Sequence, residues 1–445
     1  METAAAITDS VPVEKRTSLA TVVGSSLIGT TIEFYDFFIY GTAAALVFPH
    51  LFFPTLSPVA GLMAAYATLA IPFLTRPIGA VLFGHYGDRL GRKKMLIVAL
   101  LIMGLSTFAI GLVPGYDTIG IWAPILVITC RLLQGFALGG EWGGAATMVI
   151  EYAPPEKRGF YGTFVQLGNV IGLFTSALVF AVIPRDMLLA GGWRIPFLIS
   201  IVALAVGLYI RNNIEETPLF KELKSSGAAV PRVPVMEILR RGKRAVLLAM
   251  GVRTGEIILG WLVIGFLLSY ATRNLGYNST QVLYVILAAS ALDMITVPLA
   301  GYLSDRLGRR PVFLFGACVA AVMAFPMFWL VDLGSFPIFL CVVAFAYAFG
   351  NGVMFAVQPA FFSEAFDTGV RYTGISLGFQ LANIIGGLTP LIGTWLIQMS
   401  GGKSWSISLF LLVGSLVTIG CVLSMRETAG RRLETRPVAP AAAED

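Results

Sequence analysis

Apolar residues in this chain fall in long, unbroken runs divided by short polar stretches. A helix needs about 20 such residues to cross the hydrocarbon core of a bilayer. Twelve runs suit that role, at about 20–48, 59–83, 95–113, 121–151, 160–183, 195–211, 245–271, 280–303, 312–331, 336–362, 373–398 and 405–425. The pattern excludes a transmembrane barrel, whose strands alternate over about ten residues. It predicts an all-α membrane protein of twelve transmembrane helices, with the longer ones tilted or projecting.

Composition agrees. Hydrophobic residues make up 57% of the 445 and charged residues only 13%, against about 25% charged in a soluble domain. One aqueous core cannot bury that much apolar surface, so the bilayer is the expected solvent. Glycine (48) and proline (23) are frequent, as where membrane helices pack closely or break. The net charge of +6 points to topology and not to nucleic acid. Segments sharing the N-terminal side hold 24 Lys and Arg, the opposite loops four (Arg185, Arg194, Arg273 and Lys403), and the spans three. The positive-inside rule then puts both termini in the cytoplasm. The first apolar run is too long, and too acidic, for a cleavable leader. Cys130, Cys318, Cys341 and Cys421 lie in spans without Cys-x-x-Cys spacing and read as buried small hydrophobes. His50 and His85 are isolated, so neither a metal nor another cofactor is expected.

A polar stretch divides the spans six and six. The expected organisation is an N-tail (1–17), an N-terminal bundle (18–211), a cytoplasmic linker with short surface-lying amphipathic pieces (212–244), a C-terminal bundle (245–426) and a C-tail (427–445). The halves repeat. "GHYGDRLGRKK" returns as "GYLSDRLGRR" 217 residues later, Glu151 and Arg158 as Glu364 and Arg371 after 213, and "QLGNVIG" as "QLANIIG" after 214. Repeated bundles of this kind mark secondary transporters, with a binding site near the midplane between the repeats.

The duplicated loop G-x-x-x-D-R-x-G-R-[RK] resembles the signature of the major facilitator superfamily. Here it comprises Gly84, Asp88, Arg89, Gly91, Arg92 and Lys93, then Gly301, Asp305, Arg306, Gly308, Arg309 and Arg310. "GTTIEFYDFFIYGTAAALVFP", "RLLQGFALGGEWGGAA" and "EETPLF" are similar to the metabolite:proton symporter family within it. The resemblance implies uptake of shikimate, citrate, other carboxylates, or zwitterions such as proline and betaine, and "RTGE" through "VQPAFFSEAF" looks closest to shikimate-type members. It also implies that helices 3, 6, 9 and 12 face lipid while 1, 4, 7 and 10 line the cavity. The intramembrane charges are Glu33, Asp36, Arg76, Arg131, Glu141, Arg253, Glu256 and Asp293, and none falls in a lipid-facing helix. Charge in lipid is penalised, so the distribution supports that arrangement.

Glu33 and Asp36 lie three residues apart on one helical face. Asp36 and Arg131 resemble a pair that proton-coupled members place between helices 1 and 4. With Glu33 and Glu141 they are the candidates for proton coupling, or else they hold helices together. Arg253 offers a planar fork that matches a carboxylate. It is the first candidate substrate ligand unless it pairs permanently with Glu256 or Asp293. Arg76 follows, and the amides Gln166, Asn169, Gln358, Gln380 and Asn383 either bind substrate hydroxyls or join helices. Tyr35, Trp142 and Trp261 either meet a substrate ring or pack. Asp88, Arg89, Arg92, Glu151, Arg158, Asp305, Arg306, Arg309, Glu364 and Arg371 are candidate gating groups at the cytoplasmic ends, or fix turn geometry. An acid there can cap a helix N-terminus, and Arg92 can pair with Glu151.

No Walker, Gly-x-Ser-x-Gly or zinc motif occurs, which argues against an enzyme or a self-contained ATP-driven pump. Paired charges and duplicated gate loops argue for alternating access over a channel. The expected function is a monomeric, proton-coupled importer of a small organic acid in the cytoplasmic membrane. Uptake of a zwitterionic osmolyte is the alternative. Against it, the C-tail lacks the heptad coiled coil of osmosensing relatives.

Overall fold

A computed structural model describes residues 18–90, 92–139, 141–212, 243–365 and 371–430. The linker and the far ends of both tails lie outside the described residues. Twelve apolar helices carry the fold. They are α1 (Leu19–Leu46), α2 (Pro58–Leu90), α3 (Arg92–Leu112), α4 (Trp122–Tyr152), α5 (Arg158–Val182) and α6 (Arg194–Asn212) in the first half. The second half comprises α7 (Lys243–Trp261, a π-helical turn Leu262–Phe266, then Leu267–Asn274), α8 (Ser279–Leu307), α9 (Arg309–Val331), α10 (Phe336–Ala365), α11 (Arg371–Met399) and α12 (Trp405–Ser424). Eleven are long and apolar enough to span a membrane, and α6 contributes a shorter apolar stretch, Arg194–Ile210.

Helix starts follow from local chemistry. The Ser18 hydroxyl accepts from the Thr21 amide at 3.1 Å to open α1, and Asn278 and Gln281 form a capping box that opens α8. Inside the hydrocarbon every backbone group must be satisfied within the protein, which is why irregular backbone appears only where protein surrounds it. The span expected as one helix at 121–151 leaves regular α-helix at Gly139. A Cβ on Gly139 would lie 2.1 Å from the Arg76 carbonyl oxygen, so glycine there lets α4 approach the α2 backbone. The carbonyls freed at the break are taken up from across the molecule: Gln380 of α11 donates to Leu138 O at 3.3 Å and Gly139 O at 3.2 Å. α10 contains a π-helical turn, Ala346–Gly352, as α7 does at Leu262–Phe266.

The halves pack with the same logic. Within them α1 lies along α5 and α7 along α11; between them α5 meets α8 and α2 meets α11. Burial sorts lining from lipid-facing helices. Only 39% of α9 and 44% of α3 and α12 is buried, against 72% of α10 and 67% of α1 and α7. Leu105, Val322 and Leu416 are exposed on the lipid-facing set. The cysteines need a correction on this account. Cys318 and Cys341 are exposed and Cys130 and Cys421 half-buried, because apolar side chains in a membrane protein gain as much from facing lipid as from the core.

Candidate functional site

Two buried charge clusters flank the midplane. In the first half, α1 presents Glu33 and Asp36, which are 2% and 1% exposed. Asp36 lies beside Thr107 of α3, and its Oδ1 has no hydrogen-bond partner. Arg131 of α4 is fully buried but does not close on Asp36. Its Nη1 donates to Gln134 Oε1 at 2.8 Å, its Nη2 to Leu69 O at 3.4 Å, and its guanidinium lies 3.9 Å from the centre of the Tyr40 ring. Gln134 in turn donates to Thr107 Oγ1 at 2.7 Å. Arg131 is thus two polar side chains, Gln134 and Thr107, removed from the acid. Arg76 of α2 sits over the Phe37 and Phe73 rings, at 4.7 and 4.4 Å. Its Nε and Nη2 have no hydrogen-bond partner, and the charges acting on it come from Glu33, Arg131 and Arg253. Glu141 is buried where the second segment of α4 begins.

The second half is arranged differently. Arg253 Nε pairs with Glu256 Oε2 at 3.1 Å, Nη1 donates to Phe379 O at 3.2 Å, and the guanidinium stacks on the Phe379 ring. Glu256 also accepts from Gln358 at 2.9 Å and from Asn351 at 3.3 Å. The fork of Arg253, first in line for a substrate carboxylate on sequence grounds, is therefore already engaged. The other amides divide. Gln166 accepts from Trp142 Nε1 at 2.9 Å and donates to Phe355 O at 2.8 Å, which ties α5 to α10. Asn383 donates to Gln380 at 2.8 Å. Asn169 and Asn383 line the central cavity. Among the candidate rings, Trp261 lines it as well, Trp142 stacks on Phe379 with centroids 3.6 Å apart, and the Tyr35 hydroxyl donates to Pro196 O.

These groups surround a central cavity of about 50 Å³ whose wall includes Arg76, Arg253, Glu256, Trp261, Tyr347 and Asn351. Phe37, Phe73 and Trp261 meet edge to face at 5.4–5.6 Å and join α1, α2 and α7 across the halves. Small-ligand sites occupy about 300–1,000 Å³, so this state is contracted around its charges. Bonds between halves hold both ends together. At the outer end, by the topology above, Tyr66 OH donates to Gly265 O at 2.7 Å and Arg273 to Pro58 O at 3.2 Å. At the basic end, Asp305 of α8 accepts from the Gly159 and Phe160 amides, each at 2.8 Å, and so caps the N-terminus of α5. Arg309 grips Asp305 at 2.6 Å and Glu364 at 3.2 Å through two nitrogens. Arg158 is buried nearby and Glu151 is half-buried. Arg306 lies apart, exposed and 4.5 Å from the Tyr302 ring. The side chains of Asp88, Arg89, Arg92 and Arg371 lie outside the described residues.

Several participants escaped the sequence reading. Gln134 follows Arg131 by three residues on the same helical face, a usable signal. Asn351 stands between two glycines in the π-helical turn. Glu427 and Thr428 had no signal: Glu427 caps α9 through the Arg309 and Arg310 amides at 2.9 and 3.0 Å, and Thr428 donates to Glu364 at 2.9 Å.

The family profile described as "Sugar (and other) transporter" matches residues 21–226 and 221–439, nearly the whole chain. The chain belongs to this major facilitator family. Among its relatives, the Escherichia coli K12 shikimate transporter is 40% identical over 91% of this chain and 93% of its own. The inner membrane metabolite transport protein YhjE of the same strain is 38% identical (93% and 95%), and its proline/betaine transporter 35% (94% and 85%). A crystal structure of a D-xylose-proton symporter superposes with a TM-score of 0.70 at 18% identity, covering 94% of this chain and all of that one. At that identity the likeness speaks for the fold alone. The protein is a multi-pass membrane transporter of the twelve-helix major facilitator fold and not an enzyme.

Proposed function

We propose that this transporter is a monomeric proton-coupled symporter that imports a small organic acid across the cytoplasmic membrane by alternating access between its two bundles (18–211 and 245–426). The observation that carries the substrate charge is Arg76, a buried guanidinium on the cavity wall with two donors left over. A substrate carboxylate supplies the acceptors that these two donors lack, beside the charge of Glu33 that already acts on Arg76. Asn169 and Asn383, also on that wall, would take hydroxyls. The 40% identity to a shikimate transporter supports the same reading. The similarity to a proline/betaine transporter keeps the zwitterion reading as the competitor.

Asp36 is the proposed proton carrier, with Glu33 on the same face and Arg131 reaching Asp36's neighbour Thr107 through Gln134. A buried charge without partners is strongly disfavoured. Protonated, Asp36 lets the loaded carrier reorient; ionised, it opposes that step until Arg131 or water reaches it. In proteoliposomes with an acidic exterior, labelled shikimate should accumulate and labelled glycine betaine should not. Asp36→Asn should accumulate less shikimate than the wild type yet keep exchange of labelled for unlabelled shikimate. Accumulation of betaine alone would establish the competitor, and an undiminished gradient in Asp36→Asn would remove Asp36 from the coupling role.

A further inference from the structure

Asp293 of α8 is the counterpart of Arg76 in the repeat, 217 residues on, and carries the opposite charge. It is 1% exposed and makes no ion pair among the described residues. Its Oδ1 accepts from Thr296 at 3.2 Å, while Oδ2 has no partner. Glu256, in the same region, is treated very differently. It receives Arg253, Gln358 and Asn351 and is fully provided for as an anion. The two acids share one neighbour, Tyr347, on which both charges act.

The surroundings of Asp293 can change. It packs against the π-helical turn of α10, where a Cβ on Gly352 would stand 2.0 Å from its Oδ1. Tyr347 and Asn351, from that same turn, line the central cavity, and Asn351 holds Glu256. The turn therefore separates the cavity from the acid and touches both. π-Helical turns of this kind recur at functional sites because the extra residue can be taken up or released. An uncompensated carboxylate this deep is tolerated only as the neutral acid. Once the turn shifts and water enters, the anion becomes affordable.

We propose that Asp293 is a second proton-binding site of the transport cycle: Oδ2 takes a proton from the outer solution, keeps it while α10 is closed on the acid, and releases it to the cytoplasm when α10 moves. The proposal rests on the symport reading but not on Asp36. Among the described residues, the ionisable groups that bear on Asp293 are Glu256 from α7 and Tyr347 from α10. No group of three or more His, Cys, Asp or Glu side chains that could hold a metal ion is present among the described residues.

Two measurements test this on the full chain. Infrared spectra of the purified protein in lipid at pH 7 should contain the carbonyl stretch of a protonated carboxylic acid. Part of that band should vanish in Asp293→Asn and a separate part in Asp36→Asn. In proteoliposomes with a pH difference of one unit and no membrane potential, each coupled proton is worth about tenfold in the limiting gradient of labelled shikimate. The wild type should approach about a hundredfold, and Asp293→Asn about tenfold with exchange intact. A wild-type spectrum unchanged by Asp293→Asn overturns the proposal without needing any transport. So does a wild-type gradient limited to about tenfold, or uptake that requires sodium. A ratio lowered in Asp293→Asn while Asp36→Asn keeps the full wild-type ratio would keep this proposal and discard Asp36 alone.

Discussion

Arg76 and Arg253 carry the same guanidinium on the same cavity wall, and their partners divide the work between them. Arg253 is bound to Glu256 and to the Phe379 carbonyl, whereas Arg76 has two free donors. Losing a bidentate charge-assisted contact is worth about 1.5–3 kcal/mol, roughly ten- to hundredfold in affinity. Arg76→Lys should therefore weaken shikimate binding by that factor, read by titration, with melting unchanged. Arg253→Met should instead lower the melting temperature, since removing one partner of a buried pair costs about 3–5 kcal/mol. An affinity loss confined to Arg253→Lys would move the anion site to α7.

At the scale of elements, the cytoplasmic clasp is a helix terminus held by a side chain from the other half. Asp305 fills both acceptor positions at the N-terminus of α5, which its amide cannot do. In a background with the native cysteines replaced, Asp305→Asn should speed labelling of Thr163→Cys, buried between α5 and α8, by a membrane-impermeant maleimide. An unchanged rate would leave Asp305 a structural cap only. The segment after α12 reinforces the clasp. Partial burial works to raise the pKa of Glu427, but amides of Ala429, Arg309, Arg310 and Thr428 outweigh it and hold the carboxyl's pKa below its usual value. A depressed pKa gives stability that is present above the unfolded value, about 4.3, and lost as pH falls through the folded one. A spin label at Ala429 should be immobile at neutral pH and loosen only as the pH falls below the ordinary glutamate range. Glu427→Gln should be loose throughout, and equal mobility in both would deny the contact any role.

For the molecule as a whole, hydrophobic run length placed every helix to within a few residues, because in lipid that one variable decides what can span. Burial is lowest in α3, α9 and α12, three of the four helices that the charge-free spans had implied to face lipid. Run length carries no information about breaks supported from elsewhere. The break in α4 at Gly139 is met by Gln380, 241 residues away in the chain, and by the close approach to α2. The candidate site was legible as a set of buried charges but not as a set of pairs. Arg131 chose Gln134 and the Tyr40 ring over Asp36, a choice fixed by rotamers and by which helices touch. Local spacing had offered the Arg253–Glu256 pair, three residues apart on one face, only as the alternative to an anion site, with Asp293 as a rival partner.

The contracted cavity also makes the transporter a mover of solvent. A volume of about 50 Å³ has room for one or two molecules of water at about 30 Å³ each, while a site of about 300 Å³, wide enough for substrate, takes roughly ten. Each opening therefore hydrates the charges of Arg76, Arg253 and Glu256, and each closure wrings that water out again. The balance between the two states is then set partly by water activity. Solutes excluded from the cavity push the equilibrium toward the contracted form, as a drying atmosphere closes a pine cone's opposite, a moss capsule. A cell under osmotic stress would change the resting posture of this carrier without altering one of its contacts.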